Sequence, residues 1–199
     1  MTVSEFCKAL RRRIWSDSEI LLLVRPAGKP LDDTKRKPCP GEIRAVTEKD
    51  LSDCAAFEDA ARYVPVYREM LKRGDLLHFG YLNGKCVYRH AAQCSGDITH
   101  DGCFVRRLQP HEIYTHYSYC APEARGNGFQ PESLRQMFLT FFDCTAYTLI
   151  EPQNKRSLVG AFRGGYEVRS LLTVKNRFFR RTLTEKVLSP EEANLYDSQ

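Results

Sequence analysis

Residues 122–130 read Pro-Glu-Ala-Arg-Gly-Asn-Gly-Phe-Gln. They follow a segment that reads as a strand, Ile113 to Cys120, and lead into one that reads as a helix, Glu132 to Phe142. A strand that turns on glycines straight into a helix is a narrow prescription. Gly126 and Gly128 permit a tight turn and a close approach of backbone to a ligand. The helix start presents N–H groups without intrahelical acceptors, together with a partial positive charge. Arg125 adds a planar fork of donors suited to phosphate oxygens. The expected product is a cradle for a pyrophosphate.

The segments downstream give the cradle its meaning. Thr145 to Ile150 reads as a short strand and Glu151 to Ser157 as a loop. A helix then runs to about Arg163, followed by Gly164-Gly165-Tyr166, with glycines where a helix end favours them. This arrangement resembles the GNAT superfamily of acyl-CoA-dependent N-acyltransferases. The family's phosphate motif is Arg/Gln-x-x-Gly-x-Gly/Ala, after a hydrophobic residue, any residue and proline. Here it corresponds to Cys120-Ala121-Pro122 and Arg125-x-x-Gly128-x-Gln130. The later family motif, Asn-x-x-Ala/Ser, then tyrosine, then Gly-Phe at a helix end, corresponds to Asn154, Ser157, Gly165 and Tyr166. The resemblance spans Ile43 to Thr184. It implies a mixed α/β (α+β) fold, with a mostly antiparallel central sheet, flanking helices, and a splayed strand pair that holds CoA. Two positions depart from the pattern. Gln130, followed by Pro131, replaces the second motif glycine. Ala161 stands where the family carries a tyrosine that commonly protonates the CoA thiolate.

From the resemblance, the acyl-CoA contacts fall on Ser118, Tyr119, Cys120, Arg125, Gly126, Asn127, Gly128, Phe129, Gln130, Asn154 and Ser157. Backbone N–H groups near Ser118 to Cys120 are expected to face the acyl carbonyl, where an oxyanion develops. Strand alternation assigns Glu112, Tyr114, His116, Ser118 and Cys120 to one face, and His111, Ile113, Thr115, Tyr117 and Tyr119 to the other. In histone-modifying relatives the catalytic glutamate lies six residues before the position of Cys120. That position is Tyr114, a poor base with a reference pKa of about 10. His116 and Glu112 flank it, and an imidazole can take a proton from an ammonium directly or through water. The competing reading for His116 is a solvated or hydrogen-bonded strand histidine. Cys120 reads as small apolar filling rather than a nucleophile. Glu151 either meets a cationic substrate or closes its own loop.

Bulk properties bound these readings. The chain has 199 residues and a formal net charge of +5, which suits anionic ligands but is too dispersed to argue for nucleic acid. The longest apolar run, Ile20 to Val24, is too short to span a bilayer. Polar residues and an arginine cluster follow Met1, so a cytoplasmic setting is expected. The eight cysteines show no CxxC pair and no metal-ligand spacing, and read as free thiols.

Along the chain, residues 1–42 are expected to form an extension, 43–185 the acyltransferase domain and 186–199 a polar, fraying tail. The extension comprises a helix from Ser4 to Trp15, a strand from Glu19 to Arg25, and a linker from Pro26 to Gly41. The basic helix either lies on an anionic membrane surface or packs on the domain with its arginines in water. Asn83-Gly84 predicts a hairpin between Leu76 to Leu82 and Lys85 to Cys94. Ser95 to Pro110 reads as a loop, and a last hairpin is expected to turn near Lys175-Asn176. The function implied by the resemblance is transfer of an acetyl group from acetyl-CoA to a primary amine of a small molecule, of amino-sugar or amino-acid type. A longer acyl-CoA or an acyl-carrier protein as donor is the alternative within the enzyme class, and a non-catalytic binding module is the alternative outside it. Homodimerisation is left open.

Overall fold

The computed structural model describes residues 15–31, 38–57, 59–178 and 180–197. Ten strands are present among them. β1 is Trp15–Arg25, β2 Glu42–Ala45, β3 Leu76–Leu82, β4 Lys85–Gln93 and β5 Asp97–His100. β6 is Cys103–Arg107, β7 Glu112–Cys120, β8 Thr145–Ile150, β9 Glu167–Arg177 and β10 Arg180–Val187. The helices are α1 (Ala60–Lys72), α2 (Phe129–Thr140), α3 (Lys155–Arg163) and α4 (Pro190–Asp197), with short 3-10 turns at Glu48–Ala56 and Pro122–Ala124. No helix among the described residues is long and apolar enough to cross a membrane.

Eight strands form one sheet in the order β10-β9-β1-β8-β7-β4-β3-β2. Every neighbouring pair is antiparallel except β7 and β8. The sheet is therefore mixed and mostly antiparallel, with helices on both faces. One face is covered by α2, α3 and α4, where Leu134, Met137, Phe138, Leu158 and Ala161 meet Leu21, Leu23, Ile113 and Ile150. The opposite face is covered by the 48–56 turn and α1, through Leu51, Phe57, Tyr67 and Met70, and by the β5–β6 hairpin, through Ile98.

Several expectations need correcting. The sequence sets residues 1–42 apart as an extension, yet β1 lies in the middle of the sheet, between β8 and β9. Its apolar run Ile20 to Val24 is buried from Ile20 to Leu23 and partly buried at Val24 because both faces are covered: Leu21 and Leu23 enter the helix-side core, Ile20 and Leu22 the other. The expected helix from Ser4 lies outside the described residues, except that Trp15 opens β1. The loop expected over Ser95 to Pro110 folds as a hairpin, turning at Asp101-Gly102 with φ of 49° and 76°. The last hairpin turns beyond Arg177, so β9 is longer than expected. As far as Asp197, the tail is a strand end and a helix rather than a frayed segment. Ser189 and Glu192 cap α4 reciprocally, at 3.0 and 3.3 Å.

Candidate active site

β7 pairs with β8 only at Glu112–Thr145, Ile113–Ala146 and Tyr114–Tyr147. Both strands continue beyond that pairing, and a cleft opens between them. The Thr148 hydroxyl bridges the split by donating to the Thr115 carbonyl at 2.9 Å. Below it, the buried Tyr166 hydroxyl meets Thr115 Oγ1 at 2.7 Å. On its other side β7 pairs with β4, and the register jumps: Ala91 faces His116 and Arg89 faces Tyr119. Two residues, Tyr117 and Ser118, thus oppose His90 alone. Tyr117 has φ 54°, a left-handed conformation uncommon for a bulky side chain.

This bulge overturns the expected face assignment. Strict alternation puts Ser118 and Cys120 with Tyr114 and His116. The extra residue instead carries Tyr117 and Tyr119 onto their face and turns Ser118 and Cys120 to the helix side. His116 stacks between Tyr114 and Tyr117, with ring centres 4.6 and 4.1 Å away. Tyr119 packs on Phe57, and Tyr117 on Tyr63 and Tyr67. On the other face, the Ser118 hydroxyl lies 3.2 Å from that of Tyr88, and Cys120 joins a core with Phe129 and Ala124.

The two helices that start at the cleft differ. α2 begins at Gly128, with φ 77° and no side-chain cap; Gly126 has the same φ, and a Cβ there would meet nothing within 4 Å. Helix geometry leaves the Phe129 and Gln130 N–H groups without intrahelical acceptors. The Arg125 guanidinium folds back to donate to the Cys120 carbonyl at 3.1 Å, which keeps its charge beside the turn. The donor set at this turn suits an anionic diphosphate. The Phe129 side chain is not part of it, being buried against Tyr88. The Gln130 side chain crosses to α3, where a Cβ on Gly160 would stand 2.5 Å from its Oε1. α3 starts at Asn154, whose Oδ1 accepts from the Ser157 N–H at 3.3 Å, so this helix caps itself.

The candidate proton carriers are also resolved. Glu112 accepts from Arg106, from the Tyr147 hydroxyl at 2.9 Å and from the Gln109 N–H at 2.9 Å. Burial raises its pKa, but those three donors outweigh burial and hold the carboxyl below its ordinary value. It is an engaged anion. Burial pushes the pKa of Tyr114 up and lowers that of His116 to about 3, so both are neutral near pH 7. His116 Nε2 is buried without a hydrogen-bond partner among the described residues. Burial raises the Cys120 thiol to about 11, as fits filling rather than a nucleophile. Ala161, 2% exposed, lies in the core and not at the cleft. Glu151 is exposed at the end of β8 and accepts from Gln153 at 2.9 Å; it lines a groove of about 700 Å³ with Asp17, Glu19 and Lys175.

Sequence reasoning missed part of this site. Arg89 is buried, its guanidinium carbon 4.2 Å from the Tyr63 ring centre and 5.0 Å from that of Tyr119. It grips Asp59 through two bonds of 2.7 Å. These residues, with the half-exposed Tyr117, wall the face opposite α2 and α3. No local signal marks them, because β4, α1 and β7 meet only in the folded chain.

The fold recurs in solved structures. The chain has the GNAT fold. A GNAT-family acetyltransferase from Colwellia psychrerythraea superposes with a TM-score of 0.57 at 11% identity, over 93% of this chain and 62% of that one. A GCN5-related glucosamine N-acetyltransferase region of a fungal multi-domain GH3 β-N-acetylglucosaminidase gives 0.55 at 13% identity, over 94% of this chain and 23% of that one. Ribosomal-protein-alanine N-acetyltransferase from Brucella melitensis gives 0.52 at 20% identity, over 74% and 99%. The chain thus spans less than two thirds of the length of the first two. No protein-family model and no curated protein sequence matches it.

Proposed function

We propose that this protein is an acyl-CoA-dependent N-acyltransferase that moves an acetyl group from acetyl-CoA to the primary amine of a small molecule, of amino-sugar or amino-acid type. The observation that carries this reading is the opening of β7 from β8 after Tyr114 and Tyr147, directly beside the uncapped start of α2. An unpaired strand edge is a binding surface for an extended chain, and the pantetheine arm is such a chain. The Arg125 to Gln130 turn supplies donors for its pyrophosphate. Backbone N–H groups at the Tyr117–Ser118 bulge supply fixed dipoles for a developing oxyanion.

The amine approaches from the opposite face, past Tyr63, Tyr117, Tyr119 and Asp59. Once Tyr117 shifts to uncover it, the buried Nε2 of the neutral His116 accepts a hydrogen bond from the amine. With a pKa of about 3 the imidazole holds the proton only in passing, so the amine itself reacts in its neutral form. The rate then rises with pH up to the pKa of the amine. Calorimetric titration with acetyl-CoA, paired with thiol release over a panel of amino sugars and amino acids, tests the proposal. Longer acyl-CoA donors in the same assay decide chain length. A second reading is favoured by the burial of Ala161 and the engagement of Glu112: a binding module without turnover. Tight acetyl-CoA binding with no thiol release for any amine supports that module and overturns the enzyme.

A further inference from the structure

Beneath the first turns of α2 lies a polar cluster that the proposed reaction has not used. Ser133, fully buried, faces two imidazoles: His78 Nδ1 at 3.1 Å and His90 Nδ1 at 3.2 Å. Both histidines are 4% exposed, and burial lowers their pKa values to about 4 and about 3, so both are neutral near pH 7. The Ser118 hydroxyl lies 3.2 Å from that of the buried Tyr88 phenol, and Ser133 lies beside the same phenol and helps to lower its pKa against the effect of burial. Ser118 is exposed on β7 past the split, turned to the helix face by the bulge. The result is a line of polar groups, from two neutral imidazoles through Ser133 and the neighbouring Tyr88 phenol to a single exposed hydroxyl in the cleft.

Counting hydrogens limits how such a line can run. Ser133 has two acceptor sites and one hydrogen, and Tyr88 has one hydrogen. When both imidazoles donate from Nδ1, they fill Ser133's acceptor sites. Its hydrogen then goes to Tyr88, the Tyr88 hydrogen goes to Ser118, and the Ser118 hydrogen points into the cleft. When one imidazole carries its hydrogen on Nε2 instead, Ser133 donates to that ring and Ser118 donates inward. Negative charge in the cleft favours the first sense, because each bond then polarises the next toward it.

We propose that Ser118 donates a hydrogen bond to the leaving sulfur of the acyl thioester, and that Tyr88, Ser133, His78 and His90 are positioning residues that fix the direction of that bond. This rests on the acyltransferase reading. The amine nitrogen attacks the carbonyl carbon from the Tyr117 and Tyr119 face, a C–N bond forms, and the C–S bond breaks. Sulfur departs with the electron pair on the helix side, where the cofactor arm lies and where Ser118 points. The proton lost by nitrogen passes through solvent and reaches sulfur after departure. Ser118 shares the thiolate charge without giving up its own proton. This supplies a donor that Ala161 cannot.

Two measurements test the proposal. Imidazole 15N spectra of the protein saturated with CoA are expected to show both His78 and His90 as neutral Nδ1–H tautomers. A neutral Nε2–H tautomer at either residue, with CoA binding established by calorimetry, overturns the proposal while leaving the acyltransferase reading intact. Absence of CoA binding overturns both. In thiol-release kinetics with the best amine of the panel, Ser118→Ala is expected to lower kcat about tenfold, with KM for acetyl-CoA within about twofold. Ser118→Thr keeps the hydroxyl and most of kcat. Tyr88→Phe is expected to match Ser118→Ala, and the double variant to be no slower than either single one, because the two act as a unit. Multiplicative losses, or an unchanged kcat in Ser118→Ala, sink it. Ser118→Ala alters an exposed residue, so the test survives if Tyr88→Phe fails to fold.

Discussion

α2 and α3 begin at the mouth of the same cleft, and only α3 completes its own first turn. Asn154 supplies the α3 cap, and the helix rests on an apolar interior through Leu158 and Ala161. α2 starts on a left-handed glycine with no side-chain cap and, near that start, sets its own Ser133 against two buried imidazoles. The self-capped, dry-backed helix is a packing element. The uncapped one, backed by buried polar groups, leaves its first donors for a ligand.

The largest expected break between them comes from acid. His78 and His90 have folded pKa values of about 4 and about 3, below the usual imidazole value, so the unfolded chain binds their protons more readily. Their contribution is complete above about pH 6.5. It falls as pH drops toward 4, by about 1.4 kcal/mol per pH unit for each ring. Between pH 7 and pH 5 the two together remove about 4 kcal/mol. Hydrogen exchange at the two pH values is expected to show α2 amides losing protection before those of α3. Equal loss in both helices erases the contrast.

Next is Ala161→Tyr. The family pattern invites a phenol there, but the site is core, and overpacking is expected to cost about 1–3 kcal/mol in urea unfolding. A variant of unchanged stability with raised kcat would put α3 at the reaction centre after all. Gly128→Glu is expected to raise the acetyl-CoA dissociation constant at least tenfold, or about 1.4 kcal/mol, by placing a carboxylate and a strained backbone where phosphate must approach. Wild-type affinity in a folded variant removes the anion from α2. The smallest effect belongs to Asn154→Ala: about 1 kcal/mol of stability from the lost cap, with acetyl-CoA affinity within about twofold. A tenfold loss of affinity instead would make the α3 start a ligand site too, as the Asn-x-x-Ser resemblance implies.

What the sequence disclosed was local chemistry. Gly126, Gly128 and Asn83-Gly84 adopt positive φ as their residue types predict, and the strand–turn–helix around the cradle follows from them. Two missed elements carried local signals as well: Asp101-Gly102 for the β5–β6 hairpin, and Ser189-Pro190-Glu191-Glu192 for the start of α4. The polar strands beside Asp101 and the charge of the tail masked them. The rest was invisible for a physical reason. The β7 bulge exists because of its register against Arg89 and Ala91, and no property of residues 112–120 alone announces it. The Ser133 cluster joins residues 55 and 43 positions apart. Ala161 matches a motif spacing, yet where its side chain lies depends on how α3 docks.

The central place of β1 bears on how the protein is made. β1 is the first described strand to leave the ribosome, while both its neighbours, β8 from Thr145 and β9 from Glu167, come late in the chain. Until they emerge, Ile20 to Val24 has two unpaired edges and no cover on either face, the profile of a segment that chaperones hold or that aggregates. Removing the residues before Ile43 would leave a gap in the sheet rather than trim its margin.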